Sequence, residues 1–426
     1  MHDTTALRRD RNFTWLMGGG VISALGDQFS MIALPWLVLQ LTGDPLALGM
    51  MVAVMGIPRA ILILFGGAVV DRHSPKRVLM LTKYVNALLL AILAALVLLG
   101  KATLLPVALL AVGLSVASAF SIPAGTSMLP HAVAPQHLAA ANAAMMAARQ
   151  LSMLAGPLLA GLLFVLAGDG SRGMEDARGL GIALALDCLS FALSAWTLSK
   201  VKPLVAARTD TTREPVLRAV GAGFATLWRA PQLRTAFLYW GLCACVVGGV
   251  TQVALPLLAS ERLHGASGLA LLMGAHGTGT LAGMALSGAL GRRRVVNLGV
   301  TLLLVDALVG LLLLPLGLVT QAWQGVLLLV SIGVLGGFVQ VAVFTWIQQC
   351  VPQAMLGRMM GIFMFVFMGL APLAAAGAGW LASLVGLATL FAAAGLFLAA
   401  VALLAWLFTP MATLADTALP AQDRLG

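Results

Sequence analysis

The sequence predicts an all-α polytopic membrane protein with twelve transmembrane helices in two six-helix pseudo-repeat bundles. Of its 426 residues, 61% are hydrophobic and 9% are charged, and the mean hydropathy is +1.01. A soluble domain carries about 25% charged residues, so this chain has too few to cover a surface in water. Apolar runs of about 20 residues recur along it, and each can cross a hydrocarbon core of about 30 Å. A transmembrane β-barrel would instead show alternating segments of about ten residues.

The apolar runs divide the chain into two halves of six spans. One long polar connection separates the sixth span from the seventh. We therefore predict a first bundle over 1–199, a cytoplasmic linker over 200–234, a second bundle over 235–410 and a cytoplasmic tail over 411–426. The predicted spans are 13–41, 46–70, 78–99, 103–130, 138–167, 179–199, 235–259, 267–290, 295–318, 323–349, 359–383 and 387–409.

The basic residues predict the orientation of the chain. Its net charge of +10 lies in short loops rather than on a soluble module, so nucleic acid is not expected as a partner. Basic residues concentrate on the cytoplasmic side of membrane proteins, which predicts cytoplasmic termini in a bacterial inner membrane. The bases on this side, besides those of the linker, are Arg8, Arg9, Arg11, Arg72, Lys76, Arg77, Arg292, Arg293, Arg294 and Arg358. The bases of the opposite loops are Lys101, Arg172, Arg178 and Arg262.

The two halves share an internal repeat. Gly67-Ala68, near the end of the second span, corresponds to Gly288-Ala289 near the end of the eighth. Pro135-Gln136, between spans four and five, corresponds to Pro352-Gln353 between spans ten and eleven. Parallel repeats of this kind are typical of one class of secondary transporters.

A cluster of charges follows the second span, in the stretch GGAVVDRHSPKRVL. Gly67 allows a neighbouring helix to approach closely. Asp71 falls where the helix leaves the membrane and can interact with the N-terminal dipole of another helix. Arg72, Lys76 and Arg77 are expected to face the cytosol and the anionic lipid surface.

This arrangement resembles the loop-two signature of the major facilitator superfamily, and the twelve spans, the six-plus-six division and the repeat extend the resemblance over the whole chain. Ser74 stands where a glycine is usual, and Arg292 occupies the position equivalent to Asp71 in the second half. The resemblance implies that the loop is a conformational latch, bonded in one state of the transport cycle and loosened in the other. The alternative is a simple topology anchor.

The fifth span contains Ala-Gly-Pro-Leu-Leu-Ala-Gly, with Gly156, Pro157 and Gly161. It resembles the glycine-proline motif of exporters in the superfamily, although Ala147 and Ala160 replace expected glycines. Small residues and a proline allow a helix to bend and pack closely. The surrounding sequence also resembles the branch of drug and siderophore exporters that includes enterobactin exporters and macrolide efflux pumps. The resemblance therefore implies export.

Several charged residues lie near the middle of the membrane when residues are counted from the loops, Asp187 and Asp306 among them. Asp27 lies sixteen residues beyond Arg11, which is roughly 24 Å along a helix and past the midplane. Arg59 and Arg149 lie roughly 18 and 17 Å from the ends of their spans. Ionisable residues at this depth are usually functional or paired. In the superfamily the first span lines the central cavity, so Asp27 is the leading candidate. We hypothesise that it takes up a proton from outside and releases it to the cytosol while substrate leaves. A fixed Asp–Arg pair is the alternative.

Other intramembrane polar residues are weaker candidates. Arg149 shares a helix face with Asn142, Met146 and Met153, and this face could bind an anionic group or pair with Asp27. Asp187 and Asp306 are expected to make structural hydrogen bonds. His276 could relay protons or could simply be a hydrogen-bonded packing residue.

The tenth and eleventh spans predict an adaptable substrate wall. Gln340, Phe344 and Gln348 recur every four residues, with Trp346 close by. Methionine and phenylalanine make adaptable apolar surfaces, which suit bulky amphipathic compounds, although ordinary helix packing explains the same pattern. The candidates on the eleventh span are Met360, Phe363, Met364, Phe367 and Met368.

The leading interpretation is a proton-coupled exporter of amphipathic small molecules, such as drugs or siderophores, that works by alternating access. We expect it to act as a monomer among membrane lipids. A lysophospholipid or other lipid transporter is the main alternative. A receptor should show a soluble sensing domain, and an enzyme should show a nucleophile with a base, and neither is found. No glycine-rich nucleotide loop with a lysine is present, so ATP is not expected as the direct energy source. No cofactor or metal site is predicted.

Overall fold

A computed structural model describes residues 10–170, 177–204, 216–263, 265–290, 297–351 and 353–414. The helices that precede the linker and the linker helix itself are α1 (Arg11–Thr42), α2 (Pro45–Arg72), α3 (Pro75–Leu98), α4 (Leu104–Ala132), α5 (Leu138–Ala167), α6 (Arg178–Lys200) and α7 (Val216–Arg229). The remaining helices are α8 (Pro231–Arg262), α9 (Ala266–Leu290), α10 (Leu298–Leu316), α11 (Ala322–Cys350), α12 (Gln353–Val385) and α13 (Leu387–Phe408).

Twelve of these helices are long and apolar enough to cross a membrane, and α7 is the additional one. The predicted fold class is therefore confirmed, and the seventh to twelfth spans correspond to α8–α13. Some residues used to predict the orientation lie outside the described part of the chain: Arg8, Arg9, Arg172, Arg292, Arg293 and Arg294.

The chain forms two compact units. Unit 1 comprises residues 1–43, 54–213 and 264–274, and unit 2 comprises residues 44–53, 214–263 and 275–426. The core of unit 1 includes Phe13, Val70 and Met128. The core of unit 2 includes Trp240, Trp346 and Phe363.

The two ends of α1 are set by an aspartate cap and by a glycine. The Asp10 carboxylate accepts hydrogen bonds from the backbone N–H groups of Asn12 and Phe13, at 2.8 and 3.2 Å. Such a cap satisfies donors that have no partner within the helix. Gly43 ends the helix with a positive φ of 62°, and its N–H donates to Leu39 O, which is a common way for a helix to stop.

Two local features were not predicted from the sequence. The polar linker contains α7, whose Leu227 is 5% exposed and belongs to the core of unit 2. The seventh span, α8, contains a π-helical turn at Cys245–Gly249. β-Carbons added at Gly248 and Gly249 would lie 2.9 and 2.5 Å from the β-carbons of Ala371 and Ala374 on α12. The turn therefore lies where α8 and α12 pack most closely.

Candidate functional site

The leading candidate, Asp27, lies on α1 beside a tight contact between α1 and α6. Its side chain is exposed, whereas Ser23, Gly26 and Ser30 on the same helix are buried. A β-carbon at Gly26 would collide with the Ser190 hydroxyl and would lie 2.5 Å from Asp187 Oδ1. The glycine thus makes room for the polar side chains of α6. Ser30 takes part in this contact through its hydrogen bond to Asp187, whereas Ser23 contacts Lys83 on α3.

Asp187 is the most deeply buried of the intramembrane acids named from the sequence, with 1% of its surface exposed. Ser30 Oγ of α1 donates a short hydrogen bond to Asp187 Oδ2. Ser190 Oγ donates to Asp187 Oδ1 at 3.0 Å. Both carboxylate oxygens are therefore satisfied by hydroxyl groups, as buried polar groups require.

Lys83 was missed by sequence analysis. It lies on α3, is only 7% exposed, and donates a hydrogen bond to Ser23 Oγ at 3.3 Å. Its ammonium nitrogen lies 5.6 Å from the centre of the Phe191 ring, within the range of a cation–π contact. A signal was available in the repeat: Lys83 follows the start of α3 by eight residues, as Asp306 follows the start of α10.

Three basic residues of unit 1, Lys83, Arg149 and Arg59, exert an electrostatic effect on the Asp27 carboxylate. Arg149 is exposed and Arg59 is half-buried. These two arginines are the partners predicted from the sequence, and their direct pairing with Asp27 stays a prediction. An exposed carboxylate influenced by such cations can exchange a proton.

The predicted polar face of α5 is exposed. Met146 and Met153 have exposed fractions of 63% and 44%, and Asn142 and Arg149 are exposed with them. The Asn142 side chain donates to Leu138 O at 3.0 Å, so part of its hydrogen-bonding capacity is used within its own helix. The face offers one guanidinium group beside two flexible apolar side chains.

The glycine-proline segment of α5 forms close packing contacts inside unit 1. Pro157 lies within the helix. A β-carbon at Gly156 would collide with the side chain of Gln28 on α1, and one at Gly161 would lie 3.0 Å from Ala270 Cβ. These small residues therefore allow α1 and the start of α9 to approach α5.

The predicted substrate wall in unit 2 is divided between core and surface. Gln340 and Gln348 are exposed, and Phe344 is half-buried. The Phe344 ring packs edge-on against Phe363, with ring centres 4.9 Å apart. Phe363 is 2% exposed, so the aromatic side chains of α12 contribute to the core as well as to any wall.

The remaining aromatic candidates form a cluster with α8. Trp346 is 3% exposed and packs edge-on against Trp240 at 5.7 Å. The Trp240 ring nitrogen is buried without a hydrogen-bond partner in the described structure. Met360 and Phe367 are partly buried against this core. The side chains of Met364 and Met368 lie outside the described residues.

Asp306 and His276 differ in their surroundings. Tyr239 donates a hydrogen bond from its hydroxyl to Asp306 Oδ2 at 2.8 Å, and Cys243 Sγ lies 3.9 Å from the same oxygen. His276 has an exposed side chain. Its carbonyl oxygen accepts from Thr280 Oγ1 at 2.9 Å, at the crossing of α9 and α11.

The loop that follows α2 is only partly described. Gly67, Asp71 and Arg72 belong to α2, but their side chains lie outside the described residues. The Lys76 ammonium donates to the carbonyl oxygens of Ser199 and Val201, at 3.1 and 2.7 Å. Arg77 is exposed. Across the described residues, no three His, Cys, Asp or Glu side chains gather in a metal-binding group.

Comparison with known proteins gives a consistent family. A family model described as Major Facilitator Superfamily matches residues 16–376. The multidrug efflux pump Tap of Mycolicibacterium fortuitum is 30% identical over 226 residues, which cover 52% of this chain and 53% of that protein. The chain therefore matches about half the length of Tap.

Two further similarities extend over more of the chain. The enterobactin exporter EntS of Escherichia coli O1:K1 / APEC is 25% identical over 332 residues, which cover 78% of this chain and 76% of the exporter. The crystal structure of a D-xylose-proton symporter matches with a TM-score of 0.73 at 12% identity and covers 96% of this chain and 100% of the symporter chain. At this identity the structural match shows the fold alone.

Proposed function

This chain belongs to the Major Facilitator Superfamily and is a multi-pass membrane transporter rather than an enzyme, and we propose that it is a proton-coupled exporter of amphipathic small molecules. Drugs and siderophores are the proposed substrate classes, and alternating access is the proposed mechanism. The observation that carries the proposal is the accessible carboxylate of Asp27, on which Lys83, Arg149 and Arg59 all act.

The proposed chemistry is exchange of a proton for substrate at Asp27. In the cytosol-facing state Asp27 releases its proton, and the ionised carboxylate can then bind a cationic or hydrogen-bond-donating group of the substrate, while the apolar part of the substrate contacts Met146 and Met153 on the exposed face of α5. In the outward-facing state a proton from outside neutralises Asp27 and removes that attraction, which releases the substrate. Proton and substrate therefore occupy the site in turn.

Two observations support export. The relatives Tap and EntS are named as an efflux pump and an exporter. The fifth span carries the small residues and proline typical of exporters, and Gly156 packs directly against Gln28 of α1, next to Asp27. A bend in α5 would therefore displace α1, the helix that carries Asp27.

We propose that the transporter lies in the bacterial inner membrane, because its relatives Tap and EntS are bacterial. The distribution of basic residues favours cytoplasmic termini. The two halves of the internal repeat supply both bundles that alternating access needs. A single chain is therefore proposed to be sufficient for transport, with membrane lipids as its surroundings.

Accumulation of compounds in inverted membrane vesicles tests this function. An imposed pH gradient should drive uptake of some members of a panel of amphipathic drugs and siderophores. Asp27→Asn should abolish the gradient-dependent part of that uptake, because an amide cannot exchange the proton, while the protein still folds. Uptake of lysophospholipid that needs no pH gradient would instead favour the lipid transporter.

Asp44→Asn is the matched control. The Asp44 carboxylate accepts from Leu46 N at 2.8 Å at the start of α2, and asparagine caps a helix about as well as aspartate. This variant should accumulate the same compounds as the wild type. Wild-type rates of gradient-driven uptake in Asp27→Asn would refute the coupling role of Asp27.

A further inference from the structure

The interior of unit 1 holds a second carboxylate, Asp187, that the role proposed for Asp27 does not use. Asp187 on α6 is 1% exposed and Lys83 on α3 is 7% exposed. Both lie in membrane-spanning helices. Ionisable groups in the membrane interior are costly and mark functional sites or paired charges. We call Lys83, Asp187, Ser23, Ser30 and Ser190 the interior cluster.

Hydroxyl groups connect the interior cluster to α1. Ser30 and Ser190 donate to the two oxygens of Asp187, and Lys83 donates to Ser23 Oγ at 3.3 Å. Ser23 and Ser30 lie four residues before and three residues after Asp27. The two serines therefore place the helix that carries Asp27 in contact with both buried ionisable groups.

Lys83 lies between the two helices that carry the carboxylates. Its ammonium group contacts Ser23, one turn before Asp27 on α1, and the ring of Phe191, one turn after Asp187 on α6. From this position its charge acts on both Asp27 and Asp187, and the two carboxylates act on each other. Around them, α5 contributes Arg149 and α2 contributes Arg59, both acting on Asp27. On α6 itself, the Cys188 thiol is influenced by Asp187. Lys83 is thus the cation that links the exposed carboxylate to the buried one.

Two glycines of α1 make room for polar side chains of α6. Gly26 lies against Asp187 and Ser190, and Gly19, seven residues earlier, lies against Ser194 and Thr197. The close approach of α1 and α6 therefore coincides with a row of polar groups rather than with apolar packing. An apolar contact would avoid the cost of burying polar groups in the membrane interior.

We propose that Asp187 is a second proton-binding residue of this transporter, with Lys83 as the counter-ion that it shares with Asp27. The inference deepens the proposed proton coupling and rests on it. Asp27 is influenced by Arg149 and Arg59 as well as by Lys83, whereas Asp187 is influenced by Lys83 and opposed by the negative charge of Asp27. An uncompensated buried charge is strongly unfavourable. Protonation of Asp27 therefore leaves the charge of Lys83 to Asp187, and ionisation of Asp27 favours a proton on Asp187.

Infrared spectroscopy can test the proposal without any transported compound. The purified full-length protein in lipid nanodiscs is titrated with acid and base, and the carbonyl stretch of protonated carboxyl groups is followed. Asp187→Asn should remove one component of the wild-type difference spectrum, and Asp27→Asn should remove another. Lys83→Met should move the Asp187 component toward higher pH, because the cation that favours ionisation is lost.

Asp306→Asn is the matched control, because it changes a hydrogen-bonded carboxylate of unit 2. It should leave both the Asp27 and the Asp187 components in place. Asp187→Glu covers the case in which Asp187→Asn does not fold. It keeps a carboxyl group, so the component should persist at a changed frequency or midpoint.

The possible results separate the two claims. A spectrum of Asp187→Asn that retains every wild-type component would overturn the inference, because Asp187 would then be only a structural residue. An unchanged frequency and midpoint in Asp187→Glu would overturn it as well. If the Asp27→Asn spectrum equals that of the wild type while Asp187→Asn loses a component, the role of Asp27 fails and Asp187 still binds a proton.

Discussion

Lys76 shows how one side chain of the charged loop is used inside unit 1. Its ammonium group donates to Ser199 O and Val201 O, at 3.1 and 2.7 Å. These carbonyl groups lie at the C-terminal end of α6, where helical donors run out and where the helix dipole favours a cation. Lys76 therefore connects the first turn of α3 to the C-terminal end of α6.

Lys76→Ala should lower the stability of the purified protein by about 1–2 kcal/mol, since two charge-assisted hydrogen bonds are lost. Thermal unfolding in detergent measures the effect. Arg77→Ala, at the exposed neighbouring position, is the control and should unfold at nearly the wild-type temperature. Equal unfolding temperatures for the two variants would show that the contact of Lys76 contributes nothing.

Individual charged residues differ in how well their surroundings could be predicted. Asp27 and Asp187 were found because an acid deep in an apolar run is conspicuous. Lys83 was not found, because the long, flexible side chain of a lysine at the ninth position of a helix can carry its ammonium group to the membrane interface. Only the packing of α1, α3 and α6 shows that its ammonium group stays inside. The sequence also could not show that Ser23 and Ser30 point away from solvent while Asp27 does not.

At the scale of elements, the crossing of α9 and α11 depends on glycines. Gly279 and Gly283 on α9 lie against the carbonyl groups of Val330 and Val334. Gly333 and Gly337 on α11 lie against those of His276 and Thr280. Small residues four apart on both helices let the two backbones touch, as in many membrane helix pairs.

Gly337→Ala should destabilise this crossing by about 1–3 kcal/mol, because its β-carbon would collide with Thr280 O and force the helices apart. Gly336→Ala is the control on the same helix, since a β-carbon there meets nothing within 4 Å. Thermal unfolding in detergent should show a lower midpoint for Gly337→Ala alone. A similar midpoint for both variants would mean that the backbones are not in contact there.

The elements that the sequence did not predict are those fixed by packing. The polar composition of residues 200–234 predicts a linker, although Val220, Phe224 and Leu227 recur there at helical spacing and lie in α7. The π-helical turn of α8 has no such pattern, because it depends on how Gly248 and Gly249 meet α12. The twelve spans were predictable because the bilayer itself dictates their length and composition.

At the scale of the whole molecule, the repeat extends to polar contacts. In unit 1, Ser23 of the first span contacts Lys83 of the third. In unit 2, Tyr239 of the seventh span contacts Asp306 of the ninth. The first and third helices of each half are thus joined by a polar contact. In unit 1 the exposed acid Asp27 lies one turn from the contact residue Ser23, which supports the proposal that proton exchange takes place in the first half.

The central claim is that protons and substrate move in opposite directions through the site at Asp27. The most direct test uses purified protein in liposomes that contain a pH-sensitive dye, with a compound that the vesicle panel identifies. A gradient of that compound alone should drive protons the other way at a fixed ratio in the wild type. Asp27→Asn should show no such proton flux. Compound flux without proton movement in the wild type, or equal proton flux in Asp27→Asn, would contradict the account.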